Sequence, residues 1–308
     1  MAHAIETHGL TRRFDGRVAV EDLSLSIEGG TVFGFLGPNG AGKTTTVRML
    51  TALIAPSDGT AVVAGQTLGV DDTALRRSVG ILTEQPGLYD RLSARQNLRY
   101  FARLYDLDTA RAGAQVERYL RLLELWDRRD EPVGTFSKGM RQKLAIARAL
   151  LHEPAVVFLD EPTAALDPEA ARTVREFVKG LRAEGRTIFL TTHNLPEADE
   201  LCDSIGILQR RLLRIGSPRE LRASLFGAGT VVRVVGDATR YAPVARSLPF
   251  VRGVRAEGET LTLEVDDPDT RNPDLIDALK AAGARIRYVE RLQHSLEDVY
   301  LRLVGGHP

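Results

Sequence analysis

The stretch VFGFLGPNGAGKTT at residues 32–45 decides the fold. Five apolar residues the length of a buried strand run into a loop with three glycines, and a helix is expected to open at about Lys43. Gly37 to Thr44 satisfies G-x-x-x-x-G-K-[ST] in the strand, loop, helix context that gives the pattern its meaning. Gly37, Gly40 and Gly42 let the backbone turn its N–H groups inward around a polyphosphate, with Pro38, Asn39, Ala41 and Thr45 completing the loop, and the helix N-terminus adds its dipole. Lys43 is placed to reach the β- and γ-phosphates of ATP and the Thr44 hydroxyl to ligate Mg²⁺.

Charge explains why such a loop is needed. The 308 residues carry 41 basic and 41 acidic side chains, so no global field draws in a polyanion, and anion binding must come from a local device. Of the basic residues only five are lysines, and three of them, Lys43, Lys138 and Lys143, stand in the segments that carry the chemistry. A hydrophobic fraction of 43% excludes a disordered chain, and the length suits about two domains. In the C-terminal part, where charges balance and aromatics are sparse, no basic stripe with stacking platforms offers a nucleic-acid surface, and no nucleic-acid partner is expected. No run of about 18 apolar residues suits a membrane span and the N-terminus lacks a signal-peptide core, so the chain is expected to stay in the cytosol. The lone Cys202 cannot form an internal disulfide and reads as a half-buried structural thiol.

A second apolar run, AVVFL at 155–159, ends in Asp160-Glu161. At the carboxyl edge of a parallel sheet, beside the phosphate loop, the first acid can hold Mg²⁺ through water and the second can act as general base toward the attacking water. The pair standing alone would read as two solvated acids; the phosphate loop changes that weighting.

From residue 1 to about 216, strands expected at 18–27, 31–36, 59–64, 79–83, 155–160, 187–191 and 204–209 alternate with helical stretches. The region 90–152 is helical throughout, with helices expected over 93–106, 112–125 and 137–151. A new pattern begins at 217: helix 218–225, strand 230–236, helix 240–248, strands 250–256 and 260–265, helix 271–282 and strand 285–291, then a last helix over 295–303. That β-α-β-β-α-β order is ferredoxin-like. The chain thus divides into a nucleotide-binding domain over 1–216, with a helical insert, and a small α+β domain over 217–308.

Residues 135–143, TFSKGMRQK, stand before a helix and ahead of Asp160; ALD at 165–167 follows it, and His193 follows the strand TIFLTT. Together these motifs resemble the ATP-binding-cassette (ABC) ATPases. The resemblance implies a P-loop α/β core with an antiparallel β subdomain and a helical insert. It also identifies Ser137, Lys138, Gly139 and Met140 with the family's signature sequence, Asp167 with its D-loop and His193 with its switch histidine. Ser137 independently reads as a helix N-cap, and a capped helix N-terminus with a bare glycine is a second phosphate cradle. The resemblance implies that two copies pair head to tail, so that one copy's signature closes over ATP held by the other. His193 at a strand end can touch the γ-phosphate and orient water with Glu161, or be a buried histidine with a satisfied structural hydrogen bond. His3, His8, His152, His294 and His307 have no such context and are expected to face solvent or be incidental.

Two positions depart from the family pattern. In VGILTEQPGLY, Glu84 stands where the family's Q-loop glutamine is expected and Gln85 is one residue later, so either serves. The adenine-stacking aromatic falls on Phe14, which otherwise reads as core filler. The FSKGM form and the C-terminal domain with its SLEDVYLRL end resemble the daunorubicin-type exporters of drugs, antibiotics or lipid-like molecules. The resemblance implies a separate membrane-spanning permease partner and a peripheral position on the cytoplasmic face of the membrane. The alternative is a soluble ABC ATPase acting on the ribosome or DNA.

Overall fold

A computed structural model describes residues 3–83, 85–226, 229–292 and 294–305. The chain divides into two compact units, Met1–Pro218 and Arg219–Pro308. In the first, β1 (His3–Phe14) and β2 (Arg17–Glu28) lead to β3 (Val32–Leu36) and α1 (Lys43–Leu50). Then come β4 (Asp58–Val63), β5 (Gln66–Thr67), α2 (Asp72–Ser78) and β6 (Val79–Leu82). The helical insert comprises α3 (Ala94–Leu104), α4 (Thr109–Leu122) and α5 (Lys138–Leu150). After it run β7 (Val156–Asp160), α6 (Pro168–Ala183), β8 (Thr187–Thr192), α7 (Leu195–Leu201), β9 (Ser204–Gln209) and β10 (Arg211–Gly216).

The strands build two sheets. β10-β9-β3-β8-β7-β6 is parallel except for its edge strand β10, whereas β2-β1-β4-β5 is antiparallel. The stretches at 18–27 and 59–64 therefore belong to the antiparallel subdomain and not to the parallel core. β1 does not stand out in the sequence because its register with β2 shifts repeatedly and Gly9 takes φ 60°, which breaks the apolar alternation. β3, β7 and β8 are buried along their whole length, as a parallel sheet covered on both faces requires. Phe189 is the centre of their packing, with its ring centroid 5.4 Å from Phe33, 5.3 Å from Phe35 and 5.4 Å from Phe158. Each such ring contributes about 1.5–3 kcal/mol by leaving water. Cys202 is buried rather than half-buried: it lies so close to β3 that a Cβ on Gly34 would come within 2.6 Å of Sγ. Burial pushes its thiol pKa far up, which makes it inert.

Side-chain caps set the helix starts. α4 begins at Thr109 and not 112 because Asp108 accepts from the Arg111 amide, and it ends at Leu122, just before Glu124 in the left-handed region. Between β7 and β8, where the alternation implies a helical stretch without giving its bounds, α6 forms behind an Asp167 cap with Pro168 at its first position.

The second unit begins within α8 (Pro218–Phe226) and goes on through β11 (Gly229–Val234), α9 (Ala242–Arg246), β12 (Val251–Glu257), β13 (Thr260–Val265), α10 (Pro268–Ala281), β14 (Ile286–Arg291) and α11 (Leu296–Val304). Its antiparallel sheet has the order β12-β13-β11-β14, the ferredoxin-like arrangement, over a core that includes Val232, Leu261, Leu263, Leu275 and Leu279. The helix expected over 240–248 is shorter, with a 3₁₀ turn (Ala238–Tyr241) before α9. Among the described residues, no helix is long and apolar enough to cross a membrane.

Candidate nucleotide site

The parallel sheet decides where the motifs go. Chain leaving the carboxyl ends of parallel strands emerges at one edge, so the loop after β3, Glu161 after β7, His193 after β8 and Gln85 after β6 share that edge. β8 stands between β3 and β7, so the acids are not on the strand next to the phosphate loop, yet side chains bridge the gap. Lys43 Nζ is 3.8 Å from Glu161 Oε1, and His193 Nδ1 is 2.8 Å from Glu161 Oε2. His193 is exposed, which removes the reading of a buried structural histidine.

The phosphate loop is held open by backbone geometry. A Cβ on Gly37 would meet Leu208 O at 2.4 Å, and one on Gly42, where φ is 104°, would meet Ala19 O at 2.5 Å. No side chain caps α1 at Gly42, whereas α2 to α7 all begin behind an Asp, Ser or Asn cap. The leading N–H groups of α1 are thus free for an anion. Lys43 is only 7% exposed, and its ammonium donates to Gly37 O at 2.7 Å, with Pro38 O at 3.4 Å. Thr44 and Thr45 are half-buried in the first turn, while Asn39 and Gly40 are exposed. Pro38, Asn39, Gly40 and Ala41 line a cavity of about 390 Å³ with Gln209 and Arg210 of the β9–β10 turn.

Asp160 is 3% exposed, and its Oδ1 accepts from the Thr191 hydroxyl, one rung across the β7–β8 ladder. Glu161 has a positive φ of 51°, strained for a residue with a side chain, and its N–H is held by the Thr191 carbonyl and hydroxyl, each at 3.1 Å. That turn swings the carboxylate out of the sheet toward Lys43 and His193.

Ser137 caps α5 by accepting from the Met140 amide at 3.2 Å, and Ser137 and Lys138 are exposed. Gly139 is buried: a Cβ there would lie 3.1 Å from Ala170 Cβ and 3.7 Å from Asp167 Oδ2. Among the described residues, no hydrogen bond or ion pair joins Ser137, Lys138, Gly139 or Met140 to the phosphate loop of the same chain. Phe14 is 42% exposed with the Arg12 guanidinium 4.5 Å from its ring, so it is not core filler. Gln85 is exposed, with its carbonyl accepting from Thr83 Oγ1 at 2.7 Å; Glu84 lies outside the described residues.

Three residues around the site were not singled out in the sequence. Gln142 donates to Pro162 O at 3.0 Å and ties α5 to the segment after Glu161. Arg148 donates to Pro86 O at 2.7 Å and Gly87 O at 3.1 Å, which ties the same helix to the segment after Gln85. A charge inside the apolar run LAIARALL was the available hint. Glu197 stands in the first turn of α7 behind the Asn194 cap, and its carboxylate accepts from the hydroxyls of Thr163 and Thr192. Away from the site, at the amino end of β6, His152, expected to be incidental, is packed with its ring stacked on Tyr105 at 3.8 Å and Nε2 3.0 Å from Val79 O.

A phosphate loop at the carboxyl edge of a parallel sheet, with an acid at the end of β7 and a histidine at the end of β8, defines a P-loop nucleoside-triphosphatase. The profile of the ABC transporter family matches residues 20–164, and that of the C-terminal domain of the ATP-binding protein DrrA1-3-like matches 216–304. The Nod factor export ATP-binding protein I of Rhizobium sp. (strain N33) is 35% identical over 303 residues, 98% of this chain and 97% of the relative. Its counterpart in Ralstonia nicotianae (strain ATCC BAA-1114 / GMI1000) is 37% identical over 305 residues, covering 98% and 94%. A solved ATP-binding subunit of an ABC transporter superposes with a TM-score of 0.68 at 32% identity, over 73% of this chain and 94% of that one. The chain belongs to the ABC transporter ATP-binding proteins, of the type with a DrrA-like C-terminal domain, and is an ATPase.

Proposed function

We propose that this chain is the ATP-hydrolysing subunit of an exporter for drug-like, antibiotic or lipid-like molecules, working through a separate membrane-spanning permease at the cytoplasmic face of the membrane. The observation that carries the catalytic part is the line Lys43, Glu161, His193, joined by contacts of 3.8 and 2.8 Å. ATP would lie on the loop Gly37 to Thr45, replacing the Gly37 and Pro38 carbonyls as partners of Lys43 with phosphate oxygens. Phe14 offers an exposed ring for adenine, and Gln85, exposed after β6, would reach toward the γ-phosphate; Glu84, the alternative, lies outside the described residues.

The donor set suits Mg²⁺. The Thr44 hydroxyl and the Asp160 carboxylate are hard oxygen ligands, few enough that the ion keeps waters and phosphate oxygens, as Mg²⁺ prefers. The ion supplies charge neutralisation between the β- and γ-phosphates when bound. Glu161 takes the proton of the attacking water, and His193 orients its carboxylate from the opposite side to Lys43.

The signature residues serve a second copy. Ser137 and Lys138 are exposed at the start of α5 and bond to no phosphate-loop residue of their own chain, which suits a cradle closing on another subunit's nucleotide. Gly139 against Asp167 couples that cradle to the segment leading back to Glu161. Two copies closing head to tail on ATP, and reopening after hydrolysis, would drive the permease. Glu161→Gln tests the chemistry: ATP remains bound while turnover falls about 10²–10⁴-fold, the worth of a positioned general base. Unchanged turnover removes Glu161 from that role.

A further inference from the structure

Glu197 is a buried carboxylate with no cation of its own. It is 3% exposed, and among the described residues no ion pair includes it; Arg175, the basic group whose field reaches it, pairs with Glu200 at 3.3 Å. Burying an unpaired carboxylate is costly, and desolvation raises its pKa above the usual carboxylate value. What it gains is two hydroxyl donors: Thr163 Oγ1 donates to Oε1 at 2.7 Å and Thr192 Oγ1 to Oε2 at 3.0 Å. Thr192 Oγ1 in turn accepts from the Asn194 amide at 3.0 Å.

The placement of these threonines gives the arrangement its meaning. The β7–β8 ladder ends at Asp160 and Thr191, and the Glu161 amide makes the last backbone bond across it. Beyond that point the two chains diverge, one through Thr163 toward Asp167 and the other through Thr192 into His193. Only side chains can hold them in register there. The Glu161–His193 contact is one such tie, and the Glu197 fork, with one oxygen on each segment, is another. A carboxylate can accept from both hydroxyls at once; an amide offers one oxygen and one donor.

We propose that Glu197 is a positioning residue that staples the Thr163 and Thr192 segments together and so keeps Glu161 and His193 aligned for water activation. The inference rests on the proposed roles of those two residues. It places the effect of Glu197 on turnover and not on nucleotide binding, because the phosphate loop is carried by β3 and α1.

The test uses the purified full chain with Mg²⁺ and ATP, measuring kcat, KM and Tm for Glu197→Gln, Thr163→Val and Thr163→Ser. Glu197→Gln is expected to lower kcat about 10-fold or more, the scale of a small misplacement of catalytic groups, with KM changed less than about twofold. Thr163→Val should lose a similar factor, Thr163→Ser should recover most of it, and combining Glu197→Gln with Thr163→Val should cost little beyond either alone. Wild-type kcat in Glu197→Gln would overturn the proposal. So would equal rates for the Val and Ser variants, or kcat, KM and Tm all shifting together as in general unfolding. Glu161→Gln, measured alongside, separates the two failures: if it retains turnover the catalytic reading is wrong, and if it loses turnover while Glu197→Gln does not, only the staple is wrong.

Discussion

His152 makes the first unit sensitive to mild acid. Its Nε2 faces the Val79 carbonyl, an acceptor, so that nitrogen carries the proton; Nδ1 is buried and has no hydrogen-bond partner among the described residues. A second proton would have to sit on Nδ1, against Tyr105 and away from water, and burial accordingly lowers the pKa from the ordinary 6.5 to about 4. The sign follows from linkage. The unfolded chain binds this proton near 6.5 and the folded chain only near 4, so stability is complete above 6.5 and is lost as pH falls through the window down to 4. A gap of that size amounts to about 3 kcal/mol in full, of which about 2 kcal/mol falls between pH 7 and pH 5. Neighbouring Glu153 has a pKa held below the ordinary 4.5 by the Arg111 guanidinium, so its linked loss occurs at lower pH and does not enter that interval. The assay is urea unfolding followed by Trp126, the single tryptophan, which lies in the helical insert. His152→Gln, which can still donate to Val79 O but does not titrate, should lose about 2 kcal/mol less than the wild type on going from pH 7 to pH 5. Equal losses in the two proteins would refute the assignment of a buried neutral imidazole.

Lys43→Ala removes the ammonium that, on the proposed reading, turns from Gly37 O to phosphate oxygens; two charge-assisted hydrogen bonds lost predict at least about 100-fold weaker ATP binding by calorimetry. Native affinity in that variant would contradict the phosphate-loop assignment. If Ser137 acts across a head-to-tail dimer, mixing a Lys43→Ala chain with a Ser137→Ala chain restores one intact composite site in two, and ATPase activity should exceed that of either variant alone. No recovered activity would count against such closure.

The phosphate loop was legible because its information is local. Three glycines, a lysine and a hydroxyl within eight residues specify the loop conformation wherever a strand precedes it. The same holds for Asp160 at the end of a continuous apolar strand and for Ser137, which satisfies its own helix. β1 was not legible, since bulges scramble its alternation, and the bounds of α6 were not, since a proline-led start after a turn hides them. His152 was misread, and Glu197 passed over, for a related reason. Each looks ordinary beside its chain neighbours, and its partners come from Val79 and Tyr105 in one case and from Thr163 in the other, segments brought together only by packing.

By itself, then, the order of residues determined which chemical groups the chain possesses and the short-range shapes that present them: an open helix N-terminus for anions, an acid pair at a strand end and a capped second cradle. Tertiary structure decided which of them touch. Inserting β8 between β3 and β7 brings His193 onto Glu161 and places Lys43 across the gap. The same strand carries Thr192 to a buried carboxylate that local spacing assigns to a helix start. Strand order rests on side-chain burial summed over the whole sheet, a quantity no single segment carries.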